Sequence, residues 1–204
     1  MSRREFHLRT VSLPTDPPKS HWLTQRGGGM RKRIAEFPWE KTPMGGMDRW
    51  PPHLRSHVNL MLASGVARVV IWGPEYYFIY NDQYAQILQD KHPSALGTPA
   101  KEIFPELWQF LGPLFERTYG GEAIVNEDLE LTLTRGGVTK PGYFSFSYTP
   151  ITDETDHVDG FMAEVLETTS RVALERAKAK VFDTVLSAIT TLRTRSTERV
   201  ASPT

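Results

Sequence analysis

Two histidines four residues apart, His53 and His57, are the first residues in this chain that could do chemistry. On a helix that spacing puts both rings on one face, where they could share a metal ion. The residues between them, Leu54, Arg55 and Ser56, lack the glutamate of a metalloprotease helix, and no third ligand is evident in the sequence. The pair reads as a solvated helix face. A second cluster is Glu127, Asp128 and Glu130. On a strand Asp128 and Glu130 share a face about 7 Å apart, a spacing that could suit the two carboxylates of a glycosidase. No second motif accompanies them, so a solvated strand edge is the plainer reading. His92, before Pro93, could be a ligand or a proton relay, though a histidine in such a loop is more often a structural hydrogen-bonder. Gly27, Gly28 and Gly29 make no phosphate loop, because no Lys-Ser/Thr follows and no strand precedes them.

Composition removes further classes. The chain has no cysteine, which excludes disulfides, Cys-ligated metals and thiol catalysis. Lys plus Arg and Asp plus Glu each number 24, and zero net charge gives no electrostatic case for a nucleic-acid partner. No apolar run approaches the ~20 residues of a membrane span. The basic N-terminus has no apolar stretch behind it, so the expectation is a cytoplasmic protein without a membrane partner. With 39% hydrophobic and 24% charged residues the chain should fold as a globular domain.

The elements that must position any site centre on residues 67–82. Val69, Val70, Ile71 and Trp72 form one strand. Gly73, Pro74 and Glu75 supply the turn. Tyr76, Tyr77, Phe78, Ile79 and Tyr80 form a second strand. Asn81 and Asp82 close it and can cap a helix over 83–88. Upstream, Pro51 and Pro52 suit the first turn of a helix over 53–63, with Leu54, Val58, Met61 and Leu62 on its apolar side. Downstream, short helical patterns cover 100–104 and 106–119, the latter interrupted by Pro113 and carrying Leu107, Phe110, Leu111, Leu114 and Phe115 on one face. Period-two alternation marks strands over 126–134 and 143–151, joined by a loop from Arg135 to Gly142, and a last strand covers 158–166. From Arg171 to about Arg193 the pattern is helical, with two apolar frames that do not join without a stutter.

The order strand, turn, strand, Tyr80-Asn81-Asp82, helix resembles the entry of a PAS domain. The lead-in, with Trp39, Thr42-Pro43-Met44-Gly45 and Trp50-Pro51, is similar to that of N-terminal PAS sensor modules in bacterial multi-domain sensor histidine kinases, as are Lys91-His92-Pro93, Ala95-Leu96-Gly97 and the string Phe144-Ser145-Phe146-Ser147-Tyr148. The resemblance implies an α+β fold: a PAS-like five-stranded antiparallel sheet with inserted helices, an N-terminal cap helix and a C-terminal output helix. The expected divisions are a flexible tail over 1–29, a cap segment over 30–63, the PAS domain over 64–169, an output helix over 170–195 and a second flexible tail over 196–204. Because the resemblance begins near Met30, translation from Met1 or from Met30 stays open.

The resemblance also implies an interior pocket, for which the candidate lining is Trp72, Phe78, Tyr80, Trp108, Phe110, Phe144, Phe146 and Tyr148. It implies a signal junction at Glu167, Thr168 and Thr169, where this chain has Glu for the family's usual Asp. The candidate dimer seam is Leu174, Val181, Val185, Ile189 and Leu192, with a helix folded back on its own domain as the other reading. The ligand is unknown. Lack of cysteine argues against c-type haem and Cys-adduct flavin, and lack of a histidine between His92 and His157 argues against haem ligated from the connecting helix. The functional expectation is a non-enzymatic PAS module in signal transduction, a homodimer with a possible signalling-protein partner. The alternatives are a fragment or stand-alone relative of a sensor histidine kinase lacking the catalytic domains, and a ligand-free dimerisation adaptor. No histidine follows His157 to accept a phosphoryl group, and no Gly-rich nucleotide lid follows either.

Overall fold

The computed structural model describes residues 22–23 and 29–200, with side chains as far as 189. Helix α1 (Gly29–Glu36) comes first and buries Met30 and Ile34. Two short 3₁₀ turns lead from it to α2 (Pro52–Ala63), which has Pro52 in its first turn, where no donor is lost. The tryptophans of the lead-in lock this segment. Trp39 and Trp50 are buried edge to face at 4.9 Å. The Trp39 indole N–H donates to Ile34 O (2.8 Å) and that of Trp50 to Gly45 O (3.2 Å). The tail expected over 1–29 falls mostly outside the described residues, but Leu23 is buried and Trp22 packs on Trp50 at 5.9 Å.

The sheet contains β1 (Arg68–Trp72), β2 (Tyr77–Tyr80), β3 (Ile124–Arg135), β4 (Val138–Thr152) and β5 (Val158–Glu167). Its order is β2-β1-β5-β4-β3, antiparallel throughout. Between β2 and β3 the chain forms α3 (Asp82–Leu88), α4 (Ala100–Ile103) and α5 (Trp108–Tyr119). These cover one face of the sheet, and α2 covers the other. This is the expected α+β, PAS-like architecture with its cap and C-terminal helices. Among the described residues, no helix is long and apolar enough to cross a membrane.

Four local details differ from the expectation. The β1–β2 turn is one residue longer, because Tyr76 sits at φ 62° in the turn and β2 starts at Tyr77. The β3–β4 hairpin is much tighter: Gly136 and Gly137 both have positive φ, the conformation of a two-residue turn matched to strand twist, so pairing resumes at Val138. Residues 105–107 form a 3₁₀ turn, so α5 begins at Trp108. The C-terminal helix, α6 (Thr169–Val200), runs past residue 195, since neither Gly nor Pro interrupts it before Pro203. Of the expected tail over 196–204, residues 201–204 lie outside the described residues.

Candidate functional site

A cavity of about 60 Å³ lies between the sheet and the inserted helices. Ile71, Phe78, Phe144, Phe146 and Tyr148 wall it from the sheet, and Tyr84, Phe104, Leu111 and Phe115 from the helices. Alternation along β4 sends Phe144, Phe146 and Tyr148 inward together. Phe146 stacks on Tyr148 at 4.8 Å, and Phe115 meets Phe161 edge to face at 4.9 Å. Burial pushes the Tyr84 and Tyr148 phenols well above the ordinary range, so both stay neutral. The space is apolar and well below the ~300 Å³ at which pockets for drug-sized ligands begin. It suits a few heavy atoms.

Of the eight aromatic residues expected there, Phe78, Phe144, Phe146 and Tyr148 line the cavity. The other four do not. Trp72 is on the opposite face, 5.3 Å from the His53 ring of α2. Tyr80 is buried at the end of β2, its hydroxyl 3.0 Å from His92 Nδ1. Trp108 packs on Tyr76 and Phe115 (both 5.9 Å) beside the cavity. Phe110 is 38% exposed, because α5 buries the side formed by Leu111, Phe115 and Thr118. The helix-borne wall residues were missed because their pairing with the sheet is a tertiary fact.

The residues with chemical potential occupy structural positions. His53 Nε2 lies 2.8 Å from Asp159 Oδ2 and joins α2 to β5, and His57 Nδ1 is 2.7 Å from His53 O. Among the described residues, no group of three or more His, Asp or Glu is placed to hold a metal. His92 partners Tyr80, and its pKa is lowered, first by burial and then by Arg33. Asp128 and Glu130 do not form a catalytic pair. A bulge between Asn126 and Leu129 puts Asp128 at φ 49° and breaks the regular alternation. Glu130 accepts from the Tyr143 hydroxyl, while Asp128 pairs with Arg171. Thr168, Arg171 and Ser145 together hold the Asp128 carboxyl below the usual carboxylate range.

That bulge belongs to the second feature, the root of α6. Glu167 pairs with Arg135 at 2.9 Å. Thr168 N donates to Tyr143 O (2.7 Å), and Thr169 Oγ1 accepts from Tyr143 N (2.9 Å). Arg171 reaches Asp128, and Val172 is buried. The expected junction residues Glu167, Thr168 and Thr169 are thus brought together with Asp128, Arg135, Tyr143 and Arg171, none of which the sequence singled out for this place. Beyond Val172 the helix leaves the domain, apart from Arg176 over the Tyr143 ring at 4.7 Å. Leu174, Val181, Val185 and Ile189 are each more than half exposed, as are Phe182 and Leu186. The helix therefore does not fold back on its own domain over this stretch. The side chain of Leu192, the last expected seam residue, lies outside those described.

No family model matches this sequence, and no curated protein does. Among solved structures, the chain is similar to the PAS domain of BvgS from Bordetella pertussis, at 16% identity and TM-score 0.49, over 66% of this chain and 99% of that one. It is similar to an RNA-binding light-oxygen-voltage receptor at 14% identity and TM-score 0.47, over 69% of this chain but only 40% of the receptor. A light-oxygen-voltage protein from Rhodobacter sphaeroides is similar at 17% identity and TM-score 0.45, over 61% of this chain and 75% of that one. What identifies the fold here is the strand order and register above, since these likenesses are distant.

Proposed function

We propose that this chain is a PAS-type signalling module without catalysis of its own, which works as a homodimer joined through α6. The observation that carries the reading is the form of α6. It is anchored to the domain through its root at residues 167–172, with Arg176 over the Tyr143 ring at 4.7 Å, while it presents Leu174, Val181, Val185 and Ile189 to solvent. Each such side chain contributes about 1.5–3 kcal/mol when buried, so several in a two-helix seam offset an association cost of several kcal/mol. The anchors of the root all come from β3 and β4, the strands that also wall the cavity. A shift of these strands would bias the start of α6 between two packings, which is the relay.

Sedimentation of the full chain tests this. The wild type should be dimeric at tens of micromolar, and Val185→Glu with Ile189→Glu should be monomeric with an unchanged domain. A monomeric wild type, or a dimeric double variant, refutes the α6 seam. One observation favours the second reading, a ligand-free dimerisation adaptor: the interior is nearly filled, and about 60 Å³ does not admit a flavin or haem without repacking the core.

A further inference from the structure

We infer that the groove between the β3–β4 hairpin and the root of α6 binds a small carboxylate with an apolar body, the carboxylate on Arg135 and the body directed past Phe144 toward the interior cavity. The groove encloses about 380 Å³ and is lined by Leu133, Arg135, Lys140, Phe144, Glu167 and Thr169, among others. Leu133 and Phe144 also wall the interior cavity, so those two side chains are the partition between the spaces. The Phe144 ring is backed by Gly142, where a Cβ would come within 3.0 Å of it.

Arg135 is the recognition element. Its side chain is only 17% exposed. Nη1 donates to Glu167 Oε2 at 2.9 Å, and the guanidinium lies over the Phe144 ring at 5.5 Å. Nη2 is buried and has no hydrogen-bond acceptor among the described residues. A guanidinium is built to grip a carboxylate with two parallel N–H donors, and a buried donor left empty is costly. Among the described residues Glu167 is the sole carboxylate lining the groove, against Arg135, Lys140 and the N-terminal end of α6, so the groove favours an anion. Of its other walls, Leu133, Val138, Pro141 and Phe144 are apolar, and Gln89 and Thr169 are polar. The apolar walls accommodate a hydrocarbon body. The groove accommodates a short alkyl chain or a single ring, of which the adjoining cavity takes at most a few heavy atoms. Binding would set the ligand against Glu167 for the same guanidinium. Glu167 is the last residue of β5 before α6, so occupancy would loosen the helix root. That consequence rests on the signalling reading; the binding site does not.

Calorimetric titration of the full chain with hexanoate and benzoate, alongside hexanol and benzyl alcohol, is the test. A carboxylate should bind saturably, and its alcohol counterpart about tenfold or more weakly. Arg135→Gln should remove that preference. Lys140→Gln, at an exposed position that leaves the core intact, should weaken the carboxylate several-fold, and added salt should do the same. The inference is overturned by absence of saturable carboxylate binding, by equal affinity for acid and alcohol, or by wild-type carboxylate affinity in Lys140→Gln together with salt independence. Sedimentation is read separately: loss of the α6 dimer would sink the signalling reading while leaving carboxylate binding in place.

Discussion

Asn81 ties three elements together, and its removal has a magnitude that can be worked from the structure. It is buried, at 1% exposure, and uses its full hydrogen-bonding capacity. Its Oδ1 accepts from Tyr84 N (3.0 Å) at the start of α3 and from Arg68 N (3.1 Å) at the start of β1. Its Nδ2 donates to Met61 O (3.1 Å) in α2 and to Val66 O (2.7 Å). The two carbonyls have other donors, Ser64 N on Met61 and Ser64 Oγ on Val66. The two N–H groups are the vulnerable partners. Asn81→Ala orphans both, at about 1–3 kcal/mol each, so a loss of roughly 2–6 kcal/mol is expected. Asn81→Asp separates the donor and acceptor halves. It keeps both accepted bonds but turns a second oxygen toward two carbonyls, which favours the protonated acid. Its folded-state pKa is therefore raised above the unfolded value, and the variant gains stability as pH falls. Urea unfolding followed by circular dichroism measures both variants against wild type at about pH 7.5 and about pH 4.5. A loss below about 1 kcal/mol for Asn81→Ala, or an Asn81→Asp deficit no smaller at the lower pH, refutes the reasoning.

Two further variants probe the sheet and the loop. Gly160 lies in β5 opposite Trp72, and a Cβ there would sit 2.4 Å from Ile71 O and 2.8 Å from the Trp72 ring. Gly160→Ala should therefore cost about 1–3 kcal/mol in urea unfolding, and an unchanged midpoint would contradict so close an approach. His92 has a lowered pKa in the folded state, from burial and then Arg33, so the unfolded chain takes its proton more readily. Stability present above the unfolded pKa is lost as pH falls through the folded one. The melting temperature should drop between about pH 7.5 and about pH 5.5, and drop less in His92→Gln; equal slopes would remove His92 as a cause.

The sequence carried the fold legibly because most of its signals were local. Alternation in 143–151, the proline-led helix at 52 and the Asn81 cap all depend on neighbours in the chain, and all are observed. The lead-in tryptophans are explained by a local device as well, each indole closing onto a carbonyl five residues earlier. The root of α6 was only half legible. Glu167, Thr168 and Thr169 were marked by resemblance, but their partners Asp128, Arg135 and Tyr143 are 24 or more residues away and meet them only through the β3–β4–β5 register.

The cavity shows how small a misreading moves a residue across a sheet. With the turn read as Gly73, Pro74 and Glu75, Trp72 would stand opposite Tyr76, and Val70 opposite Phe78. Trp72 would then share a face with Phe78 and Tyr80 and belong to the interior. The observed turn takes in Tyr76, which pairs Trp72 with Tyr77 and Ile71 with Phe78. One residue of slip exchanges the faces, and so Ile71, not Trp72, lines the cavity while Trp72 meets His53 on the cap side. Gly-Pro-Glu reads as turn chemistry at either length. A tyrosine at φ 62° is a conformation that bulky side chains seldom adopt, so sequence propensity favoured the shorter turn. Tertiary packing decided otherwise. The Tyr76 ring meets Phe115 at 5.3 Å, Tyr119 at 5.9 Å and Phe161 at 6.3 Å, and these contacts join α5 and β5 to the turn and hold the longer register.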